Sequence, residues 1–471
     1  MIPVTPFSGL PVAVLGLGRA GLASARALMQ GGATVWAWDD SKAPRDQATI
    51  AGVPLLDLAT CNWRELTSLV LSPGVPLHYP EPHPVVTAAR GAGCEIIGEV
   101  ELLARTDQAA TYVGITGTNG KSTTTALLGH IFRYAGQKSA VGGNLGQPAL
   151  DLEPQGYGGT YILEMSSYQL DLTTTARFNT AVLLNISPDH IDRHGTFAGY
   201  VEAKKRIFAG QTNEDVAIVG VDDETGKAIY EEISAEGGRR VIGISATQET
   251  AGGVYGHAGK LIDDLDGHHR EILDLRRVRT LPGEHNWQNA AAAYAAARAR
   301  GLRDVTIVEA IKCYPGLPHR QEEIAGPDHI RYVNDSKATN VDAAVRALVS
   351  YDDIYWIAGG RAKESGFDVL ERGLGHVRHA LLIGEAAVKL AAYLQDKVPY
   401  TLSGTLDTAV RQARTLARGQ NAKSPVILLS PACASFDQFE NFEARGDAFR
   451  AIVGELAGEN VQVNGTTGGL A

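Results

Sequence analysis

An α/β protein of three successive domains is what this sequence predicts, and three observations predict it. The chain has 471 residues, 44% of them apolar, which is more than one ordinary core can use. Short apolar runs alternate with helical patterns along its whole length, the rhythm of βαβ units around parallel sheets. Two of the strand-to-helix turns, at 16–21 and 117–120, are rich in glycine, as nucleotide-binding turns of α/β folds are.

Residues 1–105 carry strand patterns in PVAVLGLG, ATVWAWDD, SLVLSPG and CEIIGE, and VELLART reads as a helix leading out of them. Residues 106–316 open a second series with ATYVGITG, continue through GTYILEMSS, TAVLLNIS and EDVAIVG, and close on the alanine-rich helix HNWQNAAAAYAAARARG. Between about 235 and 280 the glycine-rich, strand-like sequence has antiparallel character and predicts a small side sheet. CYPGLPHRQ, with two prolines and a glycine, is expected to link the second domain to the third. Residues 317–462 alternate again through HIRYVNDS, DIYWIAGG, HALLIGE and PVILLSPA. The tail 463–471 has nothing apolar to bury and is expected to be disordered.

Charge and composition exclude several classes. There are 43 basic and 53 acidic residues, a formal charge of −10, and no basic run, so nucleic acid is not an expected partner. No stretch approaches the ~20 apolar residues that span a bilayer. The N-terminus lacks a basic region before its first apolar run, which feeds straight into a glycine turn, so it reads as a strand and not as a leader. Cys61, Cys94, Cys313 and Cys433 are scattered and form no CxxC, as reduced thiols of a cytoplasmic protein would be. Cys433 reads as a small buried apolar residue.

The first glycine turn is a G-x-G-x-x-G at Gly16, Gly18 and Gly21, and Asp39 lies 18 residues past Gly21 at the end of TVWAWD. A carboxylate there could take a ribose hydroxyl, so an NAD-dependent oxidoreductase is one reading. The second turn is Gly117-Thr118-Asn119-Gly120-Lys121-Ser122. It is shorter than the common phosphate-loop pattern, which would need glycine where Ile115 stands. The physics survives the shortening: glycines let N–H groups point inward, the helix N-terminus favours anions, and Lys121 can reach terminal phosphates. Ser122 would offer its hydroxyl to Mg²⁺. Beyond the next strands come Glu164, suited to hold Mg²⁺ or to cap a helix, and Asp189-His190, where the imidazole is a candidate second metal ligand. Lys204 and Lys205 in YVEAKKRIF read, on physics alone, as a solvated helix face.

Lys121, Glu164, His190 and Lys204, in that order, resemble the Mur ligases, ATP-dependent amide ligases of peptidoglycan precursor synthesis. GITGTNGKST, VGGNLG, LEMSSYQL, NISPDHIDRHG, EAKKRI, HNWQN, LPHR, NDSKATN and SPACASFDQFENFEARG carry the likeness along nearly the whole chain. It is strongest toward the branch that adds D-glutamate to UDP-N-acetylmuramoyl-L-alanine. The resemblance implies a Rossmann-like domain at 1–105 for the UDP substrate, a central ATPase domain at 106–316 and a Rossmann-like amino-acid domain at 317–462. It places ATP on Gly117, Thr118, Asn119, Gly120, Lys121, Ser122, Thr123, Asn286, Asn289, Arg320, Asp335 and Lys337. It gives two Mg²⁺ ions to Ser122, Glu164, His190 and a carbamylated Lys204, and D-glutamate to Thr339, Lys363, Ser435 and Phe442. The UDP-sugar side would use Gly18, Arg19, Asp39, Asp40, Ser72, Gly74, Asn144 and Ser166, so that the first glycine turn holds a uridine diphosphate and not NAD. The implied reaction activates a carboxylate as an acyl phosphate, which the amine of D-glutamate then attacks. A sister ligase adding another amino acid, or one extending folates with glutamate, stays open beside the oxidoreductase.

Overall fold

The computed structural model describes residues 1–362, 366–419 and 424–465. The chain forms two compact units. One comprises Met1–Arg277 with Asn286–Tyr314, the other Val278–His285 with Pro315–Ala471. The expected linker CYPGLPHRQ contains the second boundary. The return of 278–285 to the second unit has no local signal in the sequence.

The first unit contains two sheets. Four parallel strands, in the spatial order Thr34–Trp38, Pro11–Leu15, Ser68–Leu71, Glu95–Ile97, are those expected from the first four apolar runs. The larger sheet has nine strands, in the order Arg270–Asp274, Lys260–Asp263, Val254–His257, Arg240–Ser245, Val216–Gly220, Thr180–Leu183, Thr111–Thr116, Thr160–Glu164, Ser139–Gly143. The antiparallel pairs expected near 235–280 are present. They are not a separate side sheet, because Val254–His257 pairs in parallel with Arg240–Ser245 and so continues the main sheet. The central strands are buried on both faces, which is why they read as unbroken apolar runs.

From Asn286 on, the helix Glu284–Ala299 belongs to the first unit, where Ala290 to Ala297 are 0% exposed. Its methyl side chains let it approach neighbouring backbone closely.

The helix Glu99–Thr106 joins the two sheets of this unit, and Glu101 fixes it. Its buried carboxylate accepts the backbone N–H of Thr174 at 2.9 Å, of Thr175 at 3.0 Å and of Ala176 at 3.0 Å, together with Arg105 Nε at 2.9 Å and the Thr175 hydroxyl. Burial alone would raise this carboxyl. The bonds from Thr175, Thr174 and Arg105 outweigh it and hold the group at about 2. With the folded value below the unfolded one, its stabilisation is complete above the ordinary carboxylate range and is lost as pH falls from there toward 2. Glu101→Gln should cost on the order of 3 kcal/mol at neutral pH. Melting at pH 7 and pH 3 checks this: the gap between wild type and variant narrows at the lower pH, and an equal gap at both would remove the carboxylate's role.

The second unit carries a six-stranded sheet in the order Glu322–Ile324, Arg331–Asn334, Val426–Leu429, Ile354–Gly359, Val377–Ile383, Tyr400–Gly404, parallel except for the first pair. Apolar clusters cover both its faces. The last helix runs Phe442–Gly465, so the tail expected to be disordered from 463 begins helical, and residues 466–471 lie outside the described residues. Among the described residues no helix is long and apolar enough to cross a membrane.

Candidate active site

Three neighbouring strands of the nine-stranded sheet end together. Thr111–Thr116 pairs in parallel with Thr160–Glu164 on one side and Thr180–Leu183 on the other, and α/β sheets gather ligands beyond such ends. The first strand runs through 117–120 into the helix Lys121–Tyr134, with Gly120 at its N-cap. Gly120 has φ 85°, and a Cβ there would stand 2.2 Å from Asn289 Oδ1, so conformation and space both demand glycine. Lys121 Nζ donates to the carbonyls of Gly117 at 2.8 Å and Thr118 at 3.0 Å. Ser122 is buried and Thr123 half-buried on the first helical turn. Asn289 joins this region, accepting Thr124 Oγ1 at 3.2 Å and donating to Asn286 Oδ1 at 3.0 Å.

Sequence reasoning misses the residue that shapes the turn. Asn185, just past Thr180–Leu183, accepts Thr118 N on its backbone carbonyl and Asn119 N on Oδ1, both at 2.9 Å. Its Nδ2 donates to Asn119 O at 3.2 Å and to Gln288 Oε1 at 3.1 Å. The N–H groups of Thr118 and Asn119, expected to face phosphate, therefore brace the loop.

Lys204, which physics alone would leave on a solvated face, is 1% exposed. Its Nζ donates to Gly117 O, the acceptor shared with Lys121, at 2.8 Å and to Thr116 Oγ1 at 3.3 Å, and lies 4.7 Å from the Tyr200 ring centroid. Burial, and then repulsion from Lys121, holds its pKa well below the ordinary ammonium value. Lys205 faces outward to Glu232. Glu164 is 3% exposed; Oε1 accepts Asn144 Nδ2 at 2.7 Å, while Oε2 is buried with no hydrogen-bond partner. His190 caps the turn Ile191–His194 with φ 51°. Its Nε2 is 3.6 Å from Asp189 Oδ2 and its ring meets Tyr168 edge-on at 5.1 Å. Burial lowers the imidazole pKa and favours the neutral form that ligates metals.

These residues fit a hard divalent cation. A buried carboxylate oxygen without a partner is costly, and Glu164 Oε2 is such an atom. One or two protein oxygens with phosphate and water are the usual shell of Mg²⁺.

The glycine turn of the first sheet has its own bracing. Gly16 has φ 84°, and a Cβ would stand 2.6 Å from Ser72 Cβ. Gly18 caps the helix Arg19–Gln30. Asp39 accepts Leu17 N at 2.7 Å and Ser41 N at 2.8 Å, so a ligand contact there uses its remaining lone pairs. Asp40 pairs with His83 Nε2 at 2.9 Å, and Arg19 donates to the Gly146 carbonyl. Asn144 bonds Glu164 through its backbone as well as its side chain. Ser166 is the cap of Ser167–Leu170, in a reciprocal box with Gln169. Arg193, which no sequence pattern singles out, donates to three carbonyls at 73–75.

In the second unit Lys337 Nζ lies 3.7 Å from the Phe442 ring centroid, and Ser435 is buried. Thr339 N bonds Lys337 O at 2.8 Å, and Arg320 N bonds Leu317 O at 3.3 Å. Asp335 is buried, its oxygens taken by Ser430 Oγ at 2.8 Å and Gln321 N at 3.2 Å; burial raises its pKa to about 7 despite those bonds. Arg445, to which residue physics gives no role, ties the loops of Ser336 and Cys433 together through Ser336 O at 2.9 Å and Cys433 O at 3.2 Å. Lys363 lies outside the described residues.

A lysine-bearing turn at the ends of three parallel strands, beside a half-paired carboxylate, is the site of an α/β enzyme that handles a nucleoside triphosphate. Residues 115–297 match the Mur ligase middle domain and residues 11–98 the Mur ligase MurD-like N-terminal domain. The chain is 51% identical over 463 residues to UDP-N-acetylmuramoylalanine–D-glutamate ligase of Phenylobacterium zucineum, covering 97% of this chain and 98% of that one. It is 49% identical to the protein of that name from Rhodospirillum rubrum, over 97% of each chain. Among solved structures, UDP-N-acetylmuramate-alanine ligase of Thermotoga maritima shares the fold, with TM-score 0.56, 15% identity and coverage of 93% of this chain and 98% of that one. So does a pseudomurein peptide ligase of Methanothermus fervidus, at TM-score 0.54, 18% identity, 95% and 100%. The chain belongs to the Mur ligase family. It is accordingly an ATP-dependent acid–amino-acid ligase, and the oxidoreductase reading of Gly16, Gly18 and Gly21 is set aside.

Proposed function

We propose that this protein joins D-glutamate to UDP-N-acetylmuramoyl-L-alanine at the expense of ATP, in peptidoglycan precursor synthesis. The observation that carries the reading is identity of about half, along essentially the full length, to ligases of that name. The geometry supports it: two lysines converge on the Gly117 carbonyl, and the adjoining strand ends in Glu164 with its unpaired oxygen.

A carboxylate is a poor acyl group because its oxygen leaves badly. The alanyl carboxylate attacks the γ-phosphoryl group and ADP leaves; the D-glutamate amine then attacks the acyl phosphate, expelling phosphate and losing a proton. Gly117, Gly120, Lys121, Ser122 and Thr123 hold the phosphates, on a loop that Thr118 and Asn119 brace through Asn185, and Lys121 offers its ammonium to the charge that spreads over the transferred group. Asn286 and Asn289 serve the adenine, and Arg320, Asp335 and Lys337 the rest of the nucleotide. Thr339, Lys363, Ser435 and Phe442 serve the amino acid. Gly18, Arg19, Asp39, Asp40, Ser72, Gly74, Asn144 and Ser166 serve the UDP-sugar side. Ser122 and Glu164 would hold one Mg²⁺, and His190 with Lys204 a second; bound there, the ions neutralise phosphate charge. Lys204, buried and short of its ordinary basicity, is disposed to react as the free amine with CO₂, releasing a proton and gaining an anionic oxygen.

Phosphate release with ATP, Mg²⁺ and UDP-N-acetylmuramoyl-L-alanine, across a panel of amino acids, tests the reading. Release with D-glutamate alone is expected. Release only with a different amino acid, or with a folate acceptor, would reassign the chain to a sister ligase.

A further inference from the structure

Residues 72–75 turn beside the first glycine loop, pressed so close to it that Gly16 has no room for a Cβ. Their other side is held by one guanidinium. Arg193 Nη1 donates to Gly74 O at 2.9 Å, and Nη2 to Pro73 O at 3.2 Å and Val75 O at 3.0 Å. The same guanidinium lies 4.6 Å from the centroid of the Tyr168 ring, whose edge contact is His190. Arg193 sits three residues after His190, on the turn Ile191–His194. A second tie runs alongside: Gly195, at φ 74°, has the Tyr79 ring where its Cβ would be, 2.5 Å away. Three successive carbonyls on one side chain need a planar fork, and lysine cannot reproduce it.

We propose that Arg193 is a positioning residue of the reaction, holding the turn 72–75 in register with the segment that carries His190. The proposal rests on the reading that this turn meets the UDP-sugar and that the protein is the ligase described above. Phosphoryl transfer demands the acceptor carboxylate within roughly 3–3.5 Å of its target, and a misplacement of about 1 Å can cost about 10²-fold. Through Arg193 the His190 turn grips that loop by three hydrogen bonds, so its loss would let the carboxylate wander while leaving the ATP turn, braced by Asn185, intact.

The test uses full-length protein with Arg193→Ala and Arg193→Lys. Turnover is measured at saturating substrates, and UDP-N-acetylmuramoyl-L-alanine and a non-hydrolysable ATP analogue are titrated separately by calorimetry. Turnover should fall about 10²-fold and UDP-substrate affinity about tenfold in both variants, with nucleotide affinity changed by less than about twofold. Tyr168→Leu, which removes the platform and spares the carbonyls, should shift the same two quantities in the same direction by less, and it decides the matter if Arg193→Ala does not fold. Turnover and UDP-substrate affinity that stay at wild-type levels, or losses that merely track a fall in melting temperature, would overturn the proposal. Wild-type protein that does not turn over the UDP-substrate would instead sink the functional reading, and this proposal with it.

Discussion

Lys204→Ala is expected to lose nearly all turnover, on the order of 10³-fold, the scale of removing one strong electrostatic contact to the reacting groups. The amine is 1% exposed and hydrogen-bonded to Gly117 O and Thr116 Oγ1. As a plain ammonium, so near Lys121, it would repel any metal ion placed beside His190. As a carbamate it reverses sign and supplies an oxygen. Alanine would remove the proposed carbamate and leave space where it stood, so added formate or acetate should restore part of the rate. Two measurements check this: the acid-dependence of turnover in the variant, and a carbon-13 carbamate signal from wild type under labelled CO₂. Wild-type rates in the variant, or no such signal from active wild type, would remove the carbamate.

Lys121→Met keeps the length and volume of the side chain and deletes its charge. We expect a loss of about 10³-fold or more in kcat/KM for ATP, because the ammonium is proposed to stabilise charge that grows during transfer. Equilibrium dialysis with Mg²⁺ and a nucleotide analogue reports the binding share of that loss. Unchanged nucleotide affinity together with unchanged product formation would exclude a phosphate role. The shared acceptor brings a second effect. Repulsion from Lys121 is one cause of the lowered Lys204 pKa, so methionine at 121 leaves Lys204 more readily protonated and less able to take up CO₂. The double variant Lys121→Met with Lys204→Ala should therefore lose less than the two single losses combined, as neighbours in one network do.

Much of the site is legible in the sequence because it is local. Gly117, Gly120, Lys121, Glu164 and His190 stand at or past the ends of apolar strands, and the strand pattern tells where those ends are. Lys204 is readable in part: Tyr200, Ala203, Lys204 and Ile207 share one face at helical spacing, and all four are buried, a pattern hidden by its neighbour Lys205. Asn185, Arg193 and Arg445 stand inside stretches that carry the family likeness, yet composition and spacing say nothing of their work, which is to bond backbone that arrives from distant sequence. The strand Ser139–Gly143 ends in two glycines and lacks a long apolar run, and Tyr400–Gly404 is an edge strand whose exposed residues blur its alternation. Pattern predicts neither. Likeness to the Mur ligases, more than residue physics, points to the carbamate and to D-glutamate.

The helix Glu284–Ala299 leaves no slack around its row of methyls. Asn286 and Asn289 hang from its first turns and bond each other, Asn289 against Thr124 and the position where Gly120 forbids a Cβ. A bulkier side chain in place of any of the buried alanines from 290 to 297 would strain the packing of the helix that carries both amides. With both amides at the adenine, as proposed, substitutions chosen to disturb only packing there would surface as altered taste for the purine base, tying core volume to nucleotide choice.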